Sequence, residues 1–388
     1  MISKRRLRFT REGIYYTLVV VAVLIGASVR QLNLLMLLGS MLTGPLLFSL
    51  VYGRVALRRI QVERRLPPQL HVGERLTVDV TVTNRRRWMS IWSIEIEDRL
   101  LRDDGARAAA EPTRVGVYFP TVRAGESRRS GYQGQLTRRG RYRFGPIKIS
   151  TRFPLGLVRH TLLVDEPAEL LVHPRLGRLA RDWQLVRQTV TGTQGVQRRG
   201  MLEADFYGLR DWRSGDNRRW IHWRTSARRG TLVVRQFDER RSRDLAVLVD
   251  LWQPEAPTAE QLECVERAVS FVATLVAEGC RQPGRRMFLA LAADKLLERS
   301  GPASPAFLRQ QLDELALVAA HHEAGLPAAL GDALAQVPPA VPTILISTRS
   351  VDWQALADGR GDTSRALDRR RLHTVDVSSD ELNRYCEL

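Results

Sequence analysis

The chain has 388 residues, 44% of them apolar and 26% charged, with a formal net charge of +18. That length accommodates two or three domains with their own cores, and the composition excludes a disordered chain. Three widely spaced cysteines, Cys264, Cys280 and Cys386, exclude a disulfide framework or a cysteine-based zinc module and fit a reducing compartment.

The positive charge is uneven. Residues 240–388 carry 17 basic and 21 acidic residues, so the whole excess lies before them. Every basic residue except Lys4, Lys148 and Lys295 is arginine, a bias that a GC-rich genome produces without any ligand.

Two uncharged apolar runs come first, Ile14–Val29 and Leu32–Val51. A bilayer crossing takes about 20 residues, and the polar break between the runs is short, so they predict a helical hairpin through a membrane. Lys4, Arg5, Arg6, Arg8 and Arg11 precede the pair, and Arg54, Arg58, Arg59, Arg64 and Arg65 follow it. Positive residues stay on the cytoplasmic side, which puts both flanks and the body in the cytoplasm and Arg30 outside. A cleaved signal peptide ending near Gly26-Ala27-Ser28 is the rival reading, and the second apolar run argues against it.

From residue 56 to 178 the pattern is strands and turns. Leu76–Asn84 and Ile91–Ile96 alternate with period two, followed by Gly131–Leu136, Gly140–Phe144, Ile147–Thr151 and Ala168–His173. Short strands without a helical run predict an immunoglobulin-like β-sandwich. After residue 243 the period changes. Leu245–Asp250, Phe288–Leu291, Val341–Ser347 and Leu372–Val377 read as strands. Glu260–Glu278 and Pro305–Ala320 read as helices, with Leu262, Val265, Val269, Val272 and Val276 on one apolar face. Alternation of this kind predicts a three-layer α/β domain with a largely parallel sheet, which binds ligands beyond its C-terminal strand ends, near Asp250 and Ser347-Thr348.

Residues 179–242 join these parts and hold the most distinctive stretch, GMLEADFYGLRDWRSGDNRRWIHWRTSARRGTLVVRQFDE, from Gly200 to Glu239. Asp216 is placed to cap a helix over Asn217–Arg228 that Gly230 would end, and Thr231–Phe237 alternates as a strand. Arg210, Trp212, Asp216, Arg218, Trp220, His222, Trp223, Arg228, Arg235 and Glu239 are the candidate binding or junction residues. Packed tryptophans and arginine–carboxylate pairs account for them as a structural junction. A recognition surface for an anionic partner, nucleic acid included, is the second account. An enzyme using Asp216, His222 and Arg228 is the third, and it lacks a nucleophile–base pair that spacing alone would identify.

The order Gly200, Asp205-Phe206, Leu209-Arg210, Trp212, Gly215-Asp216, Arg218, Ile221-x-Trp223, Ala227-Arg228, Leu232-x-Val234-Arg235 and Glu239 resembles the hallmark of the bacterial domain-of-unknown-function family fifty-eight (DUF58). Asp205 stands where that family usually has Glu, and Trp212 where it usually has Tyr. The likeness runs upstream through RRGRYRFGP and RFPLGL to the two apolar runs. It implies α+β multidomain architecture with a von Willebrand factor A-like C-terminal domain, a bacterial inner-membrane location, and work beside MoxR-type AAA+ ATPases and transglutaminase-like membrane proteins. Von Willebrand factor A domains often hold a divalent metal on Asp-x-Ser-x-Ser with a later Thr and Asp. Here Asp250 is followed by Leu251, Trp252, Gln253 and Pro254, and the later strand ends Ser347-Thr348-Arg349. One carboxylate and two hydroxyls, Asp250, Ser347 and Thr348, make a degenerate site, so no metal and no cofactor is expected. The functional expectation is a membrane-tethered, non-enzymatic scaffold.

Overall fold

The computed structural model describes residues 3–103, 113–180, 183, 205–213, 216, 218–238, 244–281, 284–323, 330, 332–333, 336–338, 341–350, 372–379 and 381–387. The chain forms two compact units, one of Met1–Arg175 with Leu312–Leu317, the other of Leu176–Gln311 with Val318–Leu388. Gly200, Ser214, Gly215, Asn217 and Glu239 of the signature lie outside the described residues.

The first unit begins with strand β1 (Ser3–Phe9) and two helices, α1 (Arg11–Arg30) and α2 (Asn33–Ala56). Both are long and apolar enough to cross a membrane. Thr10 caps α1 by accepting the Gly13 amide at 3.0 Å, and Gln31 ends it in the left-handed conformation, which turns the chain into α2. The basic stretch before α1, expected as a plain flank, is an edge strand. Residues 3–9 pair antiparallel with β10 (Val158–Val164), from Ser3 opposite Val164 to Phe9 opposite Val158.

Ten further strands complete the unit: β2 (Ile60–Arg65), β3 (Leu70–His71), β4 (Arg75–Asn84), β5 (Ile91–Arg102), β6 (Thr113–Val122), β7 (Ser127–Gln135), β8 (Gly140–Phe144), β9 (Ile147–Thr151), β10 and β11 (Ala168–His173). An eight-stranded sheet runs β1-β10-β9-β5-β8-β11-β3, with β6 on β5, and a three-stranded sheet runs β2-β4-β7. Alternation in β4 turns Leu76, Val78, Val80 and Val82 onto the inner face, where they share one core with Ile94, Ile96, Phe144 and Ile149 of the larger sheet. One ion pair crosses that core. Arg64 of β2 donates to Asp98 of β5 at 2.6 Å and also to the Glu166 carbonyl. Asp98 accepts the Tyr132 hydroxyl at 2.8 Å, and the Arg64 guanidinium lies 4.8 Å from the centre of the Phe144 ring. Every charge in this group has a partner, as burial requires.

The second unit contains β12 (Arg178–Leu179), β13 (Asp205–Asp211), β14 (Val233–Asp238), β15 (Leu245–Asp250), β16 (Arg286–Ala292), β17 (Leu296–Pro302), β18 (Thr343–Ser347), β19 (Leu372–Asp376) and β20 (Cys386–Glu387). Its helices are α3 (Trp223–Arg229), α4 (Ala259–Cys280) and α6 (Glu381–Tyr385), with α5 (Pro305–Leu317) following β17. The main sheet has the order β17-β16-β15-β18-β19, parallel except for β17. All six residues of β15 are buried, which is why the run Leu245–Asp250 carries no polar alternation.

Thr258 and Gln261 start α4 with a reciprocal capping box. Val265, Val269, Val272 and Val276 are buried as expected, whereas Leu262, placed on the same face in the sequence reading, is exposed. It lies in the first turn, ahead of the stretch that packs. Trp183 is buried against Phe271 of α4 at 5.4 Å and Tyr385 of α6 at 5.8 Å between ring centres.

Candidate functional site

In an open, mostly parallel sheet the ligand crevice opens where successive crossovers leave in opposite directions. Here β15 is flanked in parallel by β16 on one side and β18 on the other. The C-terminal ends of β15 and β18 bring Asp250 opposite Ser347, 97 residues apart in sequence.

Asp250 is fully buried. Its Oδ1 receives His321 Nε2 at 2.8 Å; its Oδ2 receives Ser347 Oγ at 3.1 Å and Arg349 Nε at 2.9 Å. The Glu323 amide donates to His321 Nδ1 at 3.2 Å, so the proton of a neutral ring sits on Nε2 and points at the carboxylate. Ser347 Oγ in turn accepts the Arg349 amide at 3.2 Å. Arg349 Nη1 donates to the Glu323 carbonyl at 3.1 Å, and its guanidinium stacks 5.2 Å from the centre of the Trp252 ring. Thr348 Oγ1 accepts the Trp252 amide at 2.9 Å and donates to the Trp252 carbonyl at 2.7 Å, clamping the chain that leaves β15.

This arrangement does not suit a divalent cation. Such an ion needs several converging oxygens, and here both oxygens of the single buried carboxylate already face donors, one of them a guanidinium. Nor does it form a nucleophile–base pair. Ser347 bonds to the aspartate rather than to the histidine, and both nitrogens of His321 are engaged.

Beyond the network lies a cleft of 520 Å³. Its walls include Trp252, Thr348 and Arg349 from the strand ends and Glu260, Glu263, Cys264 and Arg267 from α4. Spacings of three, four and seven put those four on one helix face, opposite the buried valines. Arg267 Nη2 donates to Asn383 Oδ1 at 2.7 Å. Burial pushes the Cys264 thiol above its ordinary range, which keeps it protonated and unreactive. The cleft is therefore amphipathic and carries charges of both signs. Sequence reasoning located Asp250, Ser347 and Thr348 but missed His321, Trp252 and the α4 face. The parallel bridge Trp252–His321 that brings the histidine in spans a separation no local pattern reveals.

The signature folds differently from its sequence reading. Strands β13 and β14 pair antiparallel, with a register shift between Phe206 and Gly208. Asp216 does not cap a helix. Arg210 holds both its oxygens, at 2.7 and 2.6 Å, and the Arg213 amide donates to it at 2.8 Å. Those donors, Arg210 first, keep its carboxyl below the ordinary range. The expected helix over 217–228 is instead a 3-10 turn at Arg218–Trp220, a bridge from Ile221 to Val234, and α3. His222 caps α3, its Nδ1 accepting the Thr225 amide at 3.3 Å with the Thr225 hydroxyl 2.8 Å away. Gly230 ends it at φ 70°, a conformation that a side chain would strain.

Because the helix starts at Trp223, that side chain stands out from the first turn at 67% exposure, not in a core. Arg218, Arg228 and Arg235 are exposed, Trp212, Trp220 and Arg210 half-buried.

A family profile described as "Protein of unknown function DUF58" matches residues 208–356, from the signature through β18. An "Uncharacterized protein YeaD" of Bacillus subtilis (strain 168) is 28% identical over 221 residues, covering 54% of this chain and 53% of that protein. The chain thus spans about half the length of this curated relative. Among solved structures, the C-terminal domain of wzt matches at 12% identity and a TM-score of 0.23, over 30% of this chain and 75% of that one. The CARDB domain of PF1109 from Pyrococcus furiosus matches at 13% and 0.19, over 29% and 94%. A β-glucosidase from Listeria innocua matches at 16% and 0.21, over 29% and 16%.

Proposed function

We propose that this protein is a non-enzymatic scaffold, tethered to the bacterial inner membrane by α1 and α2, whose cytoplasmic α/β unit docks a protein partner at the strand-end cleft. The observation that carries the reading is the closed network on Asp250. It lies where a sheet of this order places its ligand chemistry, yet every group that could attack, abstract a proton or bind a metal is committed to another side chain or to backbone. What remains open to solvent is a cleft with apolar, acidic and basic walls, a surface suited to a polypeptide more than to a reaction. The order of the five strands supports a von Willebrand factor A-like unit with a degenerate metal position, and the two sheets sharing a core support an immunoglobulin-like brace. A MoxR-type AAA+ ATPase is the proposed partner, with a transglutaminase-like membrane protein as a further component.

The test is co-reconstitution of the full chain with the MoxR-type ATPase of the same genome, read by size-exclusion retention and by ATP turnover. Retention that is lost in Arg267→Glu supports the cleft as the docking site. No retention at any concentration, or retention indifferent to cleft charge reversal, overturns it.

A second reading draws on exposed Trp223 beside exposed Arg224 and Arg228, a ring and cations able to stack on and pair with nucleic acid. It requires affinity that falls steeply with salt, and a flat gel-shift series disposes of it.

A further inference from the structure

The two apolar helices meet the first β unit without a linker. The apolar run of α2 ends at Val51, and its first cation is Arg54. Between them Tyr52 reaches out of the helix. Its hydroxyl donates to the Ser90 carbonyl at 3.3 Å, and its ring lies 5.0 Å from that of Phe153, which stacks on Trp92 at 6.0 Å. At Gly53 any Cβ would overlap the His160 ring, so only glycine allows β10 this close to the helix. On the other helix, the Thr10 amide donates to the Leu157 carbonyl at 3.1 Å and its hydroxyl to that of Gly156 at 2.7 Å. Two β-unit loops, residues 85–90 and 152–157, therefore flank the hairpin at the level where its apolar surface stops.

Those loops expose what a soluble rim would hide. Trp88 is 80% exposed and Leu155 is exposed too, as are Trp92 at the start of β5 and Phe9 at the end of β1. Apolar side chains scattered singly need no explanation, but these surround one stalk. Arg85 and Arg87 precede Trp88 and are exposed, with buried Arg86 between them. The 85–90 loop is also held rigid. Fully buried Asn84 donates to the Met89 and Arg123 carbonyls at 2.9 and 3.1 Å, and Arg86 ties the loop to the end of α2 through the Arg58 carbonyl at 3.2 Å. A fixed loop that presents a bare indole directly after two exposed cations, beside the end of an apolar helix, has the composition of a membrane interface.

We propose that these two loops form a collar that seats the β unit directly on anionic phospholipid, with Trp88 at the boundary of headgroups and acyl chains and Arg85 and Arg87 on lipid phosphates. The collar rests on α1 and α2 being membrane spans. It makes the unit a rigid extension of the hairpin at a set height above the bilayer, rather than a body on a tether.

The test uses the full chain in bilayer discs of phosphatidylcholine with phosphatidylglycerol, the lipids brominated either near the top of the acyl chain or near its end. The Trp88 contribution is the emission of wild type minus that of Trp88→Phe. The expected result is that bromine near the top reduces it to roughly half or less, and bromine near the chain end reduces it far less. Arg85→Glu/Arg87→Glu weakens the quenching in anionic bilayers, while Trp88→Phe, at an exposed position, leaves the fold intact. An unquenched Trp88 in a chain that resists alkaline carbonate extraction overturns the collar and leaves the spans standing. A chain that carbonate strips from the bilayer overturns the spans, and the collar with them.

Discussion

Replacing Asp250 with alanine tests whether the strand-end network is a structural staple. The substitution removes the acceptor for three donors at once: His321 Nε2, Ser347 Oγ and the Arg349 guanidinium. Breaking a buried ion pair by deleting one partner costs about 3–5 kcal/mol, mostly because the remaining charge is left uncompensated. The Arg349 side chain is 14% exposed and can regain part of its hydration, which places the expected loss near the lower end, about 3 kcal/mol. Because the chain has two units, a single unfolding transition is the wrong observable. Hydrogen exchange of peptides covering β15 and β18 reads the local opening free energy, and the loss corresponds to roughly 10²-fold faster exchange there. In Asp250→Ala/Arg349→Met the orphaned cation is gone and a long apolar side chain replaces its stem over Trp252, so protection recovers by about 1–2 kcal/mol relative to the single variant. Unchanged exchange in Asp250→Ala refutes the staple. So does micromolar binding of Mg²⁺ or Mn²⁺ by calorimetry that Asp250→Ala abolishes.

Three other outcomes follow from the same physics. Asp98→Ala strands the buried Arg64 guanidinium between the two sheets, and a loss of about 3–5 kcal/mol in the first unit is expected by hydrogen exchange of β2 and β5. Burial holds the His160 imidazole below its ordinary 6.5. The folded chain therefore takes up that proton at lower pH than the unfolded one, so the stabilisation is complete above about 6.5 and shrinks as pH falls from there toward the lower folded value. Hydrogen exchange of peptides covering β10 should quicken over that window, and His160→Gln should flatten the dependence. Burial also pushes the Cys386 thiol up to about 11, so maleimide at neutral pH should modify it only after denaturation, as read by mass spectrometry.

What the sequence made legible follows from the range of each interaction. Strands whose inner face alternates, such as Arg75–Asn84, and fully buried runs, such as Leu245–Asp250, carry their burial in their own residues. Residues 168–173 coincide with the strand expected from them. Strand β1 does not, because four cations in seven residues read as a membrane flank, and only pairing with β10, about 150 residues away, makes them an edge. In the signature, Gly230 acts as the stop it resembles. Asp216 is not the cap its position suggests, because Arg210 takes both its oxygens and the nearest α-helix begins only at Trp223.

The Asp250 site shows the same division inside a single cluster. Its acidic residue and hydroxyls sit at strand ends that periodicity locates, so a motif comparison reaches them. The residues that decide what the site can do come from elsewhere. His321 enters through a bridge to Trp252, and Arg267 and Glu263 enter through the outer face of a helix whose inner face supplies the sequence signal. Arg349 is visible in the sequence, at the end of the strand that carries Ser347 and Thr348. In the fold it is an internal counter-charge, 2.9 Å from the carboxylate. A position that sequence describes as having lost its metal ligands is therefore electrostatically complete. The proposed docking is therefore best tested on the cleft wall that α4 supplies, Glu263 and Arg267, where a change of charge leaves the carboxylate network beneath intact.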